Sequence, residues 1–171
     1  SKMKRILKEN KGKKIHKNIR FERAVFQRCN SKIKGFARVR NEGKDTTMTV
    51  KIYNNIKFPD EYEVTIKEDC EKGRTFLEAL NLNLSAYQET YREKWTLPIK
   101  GVHEITFDTW PGLPVFMEID CDSKKSLDQV IQIFKPRKDQ ISYGSVGETY
   151  ERYYGIPQKV FNDKTPQVTF K

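Results

Sequence analysis

Six short stretches of the chain alternate polar and apolar residues with the period of a β-strand. The polar positions are Arg38/Arg40, Thr47/Thr49/Lys51, Glu61/Glu63, Arg92/Lys94, Thr106/Asp108 and Glu118/Asp120, each set spaced by two. Side chains two apart on a strand point the same way. Between them stand Val39, Val50, Tyr62, Val64, Ile105, Phe107, Met117 and Ile119, so each strand has one charged face and one oily face. Some strands carry cations and others carboxylates. If the sheet closes on its polar face, both signs line one cavity, and such a cavity suits a polyphosphate with its divalent metal.

Other segments fill in the order of elements. Residues 2–11 predict a short helix with Met3, Ile6 and Leu7 on one face, ended by Asn10 to Gly12. Residues 15–27 read as a strand through Ile19, Phe21, Val25 and Phe26, and 28–34 as a polar loop. The stretch 35–55 predicts a hairpin turning at Asn41–Asp45, and 61–68 another strand. Residues 71–82 predict a helix that buries Phe76, Leu77 and Leu80. Strands at 87–97 and 102–110 join through Pro98–Gly101, and a tight PGLP turn leads to a strand at 115–121. A helix over 123–134 can be capped by Asp122 or Ser123, and a helix over 145–156 ends at Gly155. The tail from Thr165 reads as extended. Strands in hairpin order with a few helices give an α+β domain, with the helices covering the apolar outside of the sheet.

The 171 residues fit one domain with a real core. Apolar content of 36% and charged content of 33%, with a mean hydropathy of −0.79, describe a strongly polar globular chain. Aromatic content of 12% argues against general disorder. No apolar run approaches the roughly 20 residues of a bilayer span, and no signal-peptide pattern follows the lysine-rich start. The net charge of +10 is concentrated in residues 1–44, where sixteen Lys/Arg face only Glu9, Glu22 and Glu42. That excess fits either a solvated basic surface or a polyanion site. Cys29, Cys70 and Cys121 are far apart with no CxxC spacing, which fits reduced thiols in a cytoplasmic protein better than zinc or disulfides.

Glu118 and Asp120 in FMEIDC share one strand face and could hold Mg²⁺ or Mn²⁺, which prefer hard oxygen ligands. Alone they would read as a solvated sheet face. Asp108, on the preceding strand across the PGLP turn, can come alongside Glu118, and three clustered carboxylates repel one another without a cation. Arg38, Arg40, Lys51 and Arg92 are candidate phosphate contacts, with Lys94 on the face of Arg92. Singly, each could be a surface ion pair worth little; their grouping on neighbouring strands singles them out. His16 and His103 lie near no Ser or Cys nucleophile in sequence, and no GxGxxG, P-loop or HExxH occurs. Trp110 in TWPGLP fits turn packing better than base stacking.

Taken in order, FERAVFQ, FARVR, TVKIYNN, EYEVTI, YREKW and TFDTWPGLPVFMEID with the helix after it resemble the CYTH family, the triphosphate tunnel metalloenzymes. That family includes class IV (CyaB-type) adenylate cyclases, thiamine triphosphatases and inorganic triphosphatases. FDTWPGLPVFMEID followed by SVGETYERYYGI looks most like the branch carrying the adenylate cyclase label. The resemblance implies a closed antiparallel β-barrel with helices packed outside. It implies that Arg38, Arg40, Lys51, Arg92 and Lys94 bind a triphosphate, with Lys51 and Arg92 catalytic. It further implies that Glu118, Asp120, Asp108, Glu63 and Glu61 are metal ligands for Mg²⁺ or Mn²⁺. The family opens with a strand bearing ExExK. No ExExK occurs here, so a single domain over 1–171 lacking that first strand is expected.

The leading expectation is therefore a metal-dependent enzyme acting on a triphosphate, ATP to cyclic AMP and pyrophosphate for a cyclase. The alternatives are a thiamine or inorganic triphosphatase and a non-catalytic polyanion or RNA-binding module. The expected partner is a nucleoside or other triphosphate, with no membrane. Nucleic acid is a secondary candidate and a homodimer a candidate assembly.

Overall fold

The computed structural model describes residues 1–27, 34–53 and 60–171. Its centre is a curled antiparallel sheet. Strands β1 (Lys13–Gln27), β2 (Lys34–Asn41), β3 (Thr46–Tyr53) and β4 (Asp60–Ile66) follow one another as a meander. After helix α2 (Cys70–Ala79), strand β5 (Asn83–Thr96) returns to the other side of β1, and β6 (Val102–Thr109) and β7 (Phe116–Cys121) continue outward. The spatial order is β4-β3-β2-β1-β5-β6-β7. This is half a barrel. Among the described residues no strand pairs beyond β4 or β7, so the expected full closure is not shown.

The register sets the alternating positions side by side. Arg38 stands opposite Thr49 and Arg40 opposite Thr47; Thr49 then faces Glu63 and Lys51 faces Glu61. On the other flank Arg92 stands opposite Asp108, and Thr106 opposite Glu118. Because the side-chain period is two, these pairings commit a whole face of the sheet to charge.

The opposite face carries two of the three cores. Helix α1 (Lys2–Glu9) buries Leu7, and α3 (Lys124–Phe134) buries Val130 and Phe134, against Trp95, Ile105 and Phe107. Ser123 caps α3 by accepting from the Ser126 amide. Helix α2 packs Leu77 onto Ala24, Phe26, Ala37 and Val39. Here the sequence expectation needs correcting, since Phe76 and Leu80 are 58% and 57% exposed. The face that meets the sheet is Gly73/Leu77, and a Cβ at Gly73 would stand only 2.7 Å from Val39 Cγ2. Close approach at Gly73 rotates the helix and turns Phe76 outward.

A third cluster joins Trp110 and Leu113 to Tyr150 of α4 (Val146–Tyr154), Phe161 of α5 (Gln158–Lys164) and Val168 of β8 (Gln167–Val168). Tyr150 donates to Pro111 O at 2.6 Å, which ties α4 to the turn after β6. The tail is therefore not simply extended: α5 precedes β8, which pairs in parallel with β5. Nor do all helices lie outside the sheet, because α4 and α5 contribute to the wall of its cavity. No described helix is long and apolar enough to cross a membrane.

Candidate functional site

The charged face of the sheet encloses a cavity of about 1330 Å³. Arg38, Arg40, Lys51, Glu61, Glu63, Arg92, Lys94, Glu118 and Asp120 all line it. Asp108 sits behind this lining, 1% exposed and gripped by Arg92. The structure thus gathers every predicted site residue at one concave face.

The charges form two paired groups. On β2–β4, Lys51 Nζ lies 2.8 Å from Glu61 Oε2, and Arg38 Nη2 lies 3.5 Å from Glu61 and 3.5 Å from Glu63. Thr49 donates to Glu63 at 2.7 Å, and Arg40 pairs with Glu42. On β5–β7, Arg92 Nε donates to Asp108 Oδ1 at 2.8 Å. One Arg92 nitrogen, Nη2, then serves both Asp108 Oδ2 and Glu118 Oε2, the latter at 2.7 Å. Lys94 pairs with Glu104. Asp120 makes no ion pair among the described residues.

The surroundings tune these groups. Burial pushes Glu118 up to about 7, and Asp108 beside it adds to the push, while Arg92 opposes it. Its side chain is still 48% accessible to cavity water, so the enclosure comes from the walls rather than from direct coverage. Burial also raises Glu63, but Thr49's hydroxyl and the charges of Arg40 and Arg38 outweigh it and hold that carboxylate below its usual range. Burial works against the charge on Arg92, and Asp108 with its neighbours more than restores it.

Glu118 and Asp120 present hard carboxylate oxygens to the cavity, a donor type that suits a divalent cation. Asp108 stands behind them with both oxygens on Arg92, and its crowding shows in the raised Glu118. Among the described residues no three His, Cys, Asp or Glu converge into a metal-holding group. Mg²⁺ is commonly held by one or two carboxylates together with substrate phosphates, so two donors suffice for that arrangement. Glu61 and Glu63 lie on β4, at the far end of the sheet path from β7.

Several lining residues were not singled out by sequence. Glu104 extends the Thr106/Asp108 row by two and was legible by the same alternation. Arg23 sits between Phe21 and Val25 in a stretch that reads as core. Ser145, Gln158 and Asn162 reach the cavity only because α4 and α5 fold back over it, for which no local signal exists. His16 also lines the cavity, and His103 is exposed. Trp110 is 4% exposed, as turn packing requires.

Neither a scan of protein-family models nor a search of curated proteins gives a match. Solved structures do match. A protein of Vibrio parahaemolyticus described as a "putative adenylate cyclase" aligns with a TM-score of 0.66 at 13% identity, covering 84% of this chain and 87% of that one. A Bacillus halodurans protein described in the same words aligns with a TM-score of 0.56 at 14% identity, covering 88% and 90%. A conserved hypothetical protein of Pyrococcus furiosus aligns with a TM-score of 0.63 at 17% identity, covering 81% and 86%. At these identities the likeness shows a shared fold.

Proposed function

We propose that the cavity binds the triphosphate of a nucleotide and that the protein is a metal-dependent adenylate cyclase-like enzyme of the triphosphate tunnel type. The observation that carries this reading is that one concave face holds an arginine–lysine set and a carboxylate set together. The fold shared with two proteins each described as a "putative adenylate cyclase" supports it. In this reading the curled sheet is the wall of a tunnel.

Arg38, Arg40, Lys51, Arg92 and Lys94 bind phosphate oxygens, the arginines through paired N–H donors and the lysines as mobile charges. Asp108, Glu118 and Asp120 would hold Mg²⁺ or Mn²⁺, with Glu61 and Glu63 steadying the cations of β2 and β3. A bound divalent ion supplies charge neutralisation at the phosphates. For a cyclase the ribose 3′ oxygen bonds to the α-phosphorus, the bond to the β-phosphate oxygen breaks, pyrophosphate leaves, and the hydroxyl proton passes to cavity water. Lys51 and Arg92 stabilise the charge that develops on the phosphoryl oxygens, the largest contribution in such reactions.

A second reading is a polyanion-binding module without turnover. It is favoured by the ion pairing just described, in which nearly every cavity carboxylate already neutralises a cation. The nucleic-acid form of that reading loses some ground, because part of the basic N-terminal third is used internally: Lys4 and Lys14 pair with Glu93, and Arg20 with Glu89.

The test is product analysis after incubation with ATP, thiamine triphosphate or tripolyphosphate, each with Mg²⁺ or Mn²⁺. Cyclic AMP with pyrophosphate is expected. Orthophosphate alone would replace the cyclase by a triphosphatase. Tight metal-independent binding with no product would establish the binding module.

A further inference from the structure

Four guanidinium groups line the cavity: Arg23, Arg38, Arg40 and Arg92. Three of them have carboxylates within 4 Å. Arg23 has none among the described residues. It lies at the middle of the sheet, opposite Arg40 on β2 and Gln88 on β5. Its Nη2 donates to Thr90 Oγ1 at 3.1 Å, and its guanidinium stacks 4.6 Å from the centre of the Trp110 ring. Its Nε is buried and finds no acceptor, and neither does Nε1 of Trp110 beneath it. Buried donors are almost always satisfied in folded proteins, so two neighbouring orphans mark a place where an acceptor belongs.

The electrostatics agree. Burial opposes the charge on Arg23, and Arg38, Arg40 and Arg92 all add to that pressure, while Asp108 relieves only part of it. A guanidinium stays protonated at any ordinary pH, so a bound anion, and not proton loss, is what would relieve this pressure. An anion reaching Arg38, Arg40 or Arg92 must compete with a resident carboxylate. At Arg23 it displaces none.

We propose that Arg23 is the primary anion-capturing residue of the cavity, binding a phosphoryl oxygen of the ligand while Trp110 holds the guanidinium in place. This rests on the reading that the cavity takes a polyphosphate. It adds to the site a binding residue at the centre of β1, a strand that carries none of the other cavity Arg/Lys residues named above.

The experiment is calorimetric titration with tripolyphosphate in EDTA, on the wild type, Arg23→Met, Arg23→Lys and, as an equal-charge control on the outer face, Arg20→Met. Thermal melts of the same set are recorded with and without the anion. Losing a charged hydrogen-bond partner weakens binding roughly 10- to 100-fold, so Arg23→Met should show that loss, Arg23→Lys part of it, and Arg20→Met a change within about twofold. Without anion, Arg23→Met should melt at or above the wild-type temperature, because it removes an uncompensated charge. With tripolyphosphate the wild type should gain stability that Arg23→Met does not. Wild-type-like binding by Arg23→Met, or a lowered melting temperature without anion, would overturn the assignment and leave the polyphosphate reading standing. No tripolyphosphate binding by the wild type in EDTA would also overturn the assignment, and none with Mn²⁺ added either would bring down the polyphosphate reading with it.

Discussion

Replacing Arg92 by Met tests whether the paired charges of the cavity hold the fold together. Asp108 is 1% exposed and receives two hydrogen bonds from Arg92, whose side chain is itself 14% exposed. Glu118 and Glu104 lean on the same guanidinium. Arg92→Met leaves Asp108 buried without its ion-pair partner and sets it beside Glu118. Breaking a buried pair from one side costs roughly 3–5 kcal/mol, a large part of the ~5–15 kcal/mol that holds a domain folded. For a chain of this length, about 2–4 °C per kcal/mol converts that to a fall in Tm of about 6–20 °C.

Asp108→Asn should cost less, about 1–3 kcal/mol, since Arg92 keeps Glu118 and Glu104. The double variant should cost clearly less than the sum, because the stranded charge is gone. Urea unfolding of all four proteins closes the cycle. Additivity within about 0.5 kcal/mol, or a cost below about 1 kcal/mol for Arg92→Met, would refute the coupling and reduce Arg92–Asp108 to an ordinary surface pair. Activity lost in Arg92→Met speaks to phosphate binding only at temperatures where that variant remains folded.

Leu77→Ala should cost about 2–5 kcal/mol in urea unfolding, while Phe76→Ser should stay within about 0.5 kcal/mol; the reverse order would mean that α2 presents its other face to the sheet. Gly155 closes α4 at φ +66° with open space around it, so Gly155→Ala should lose about 1 kcal/mol of stability from backbone strain alone. Glu118 titrates near 7 when folded against an ordinary carboxylate value when unfolded, so the folded state holds that proton more tightly. Its contribution favours folding below the unfolded value and fades as pH rises to about 7, and Glu118→Gln should flatten stability across that window. The same titration makes Mn²⁺ affinity, measured with tripolyphosphate present, climb through neutral pH in the wild type and not in Glu118→Gln.

The charged face that lines the cavity was legible in the sequence because alternation is a purely local signal. Arg38/Arg40 and Glu118/Asp120 declare their face whatever their neighbours are, and hairpin order then forces adjacent strands to share it. The turn at 42–45 and the stop at Gly155 were legible for the same reason, as backbone chemistry written in single residues. What could not be read depended on distant parts of the chain. Phe76, Leu77 and Leu80 are equally apolar, and only the fit of Gly73 onto Val39 and Ile66 decides which face of α2 is buried. Helix α5 is seven residues of mostly polar sequence; it is held by Phe161 stacking on Tyr150 at 4.3 Å. Arg23 was hidden by its apolar company, since Phe21 and Val25 make its strand look like core. Whether the sheet closes depends on edges that no local pattern describes.

The pairing of charges also dictates how a ligand must enter. Without ligand, the two groups of ion pairs let a charged face exist inside the protein, at the cost of competing with whatever comes to bind. A phosphate that takes Arg92 strips Asp108 and Glu118 of their counter-charge, and a cation alone that takes those carboxylates leaves Arg92 uncompensated. Either event is unfavourable by itself, whereas anion and cation entering together exchange two internal pairs for two ligand pairs. Binding of triphosphate and divalent metal should therefore be mutually reinforcing, and by linkage each must raise the other's affinity by the same factor. Mn²⁺ would then raise Tm only with triphosphate present, an effect abolished in Glu118→Ala. Equal stabilisation by Mn²⁺ with and without triphosphate would break this argument at its root, because it would show that the carboxylates can give up Arg92 at no cost.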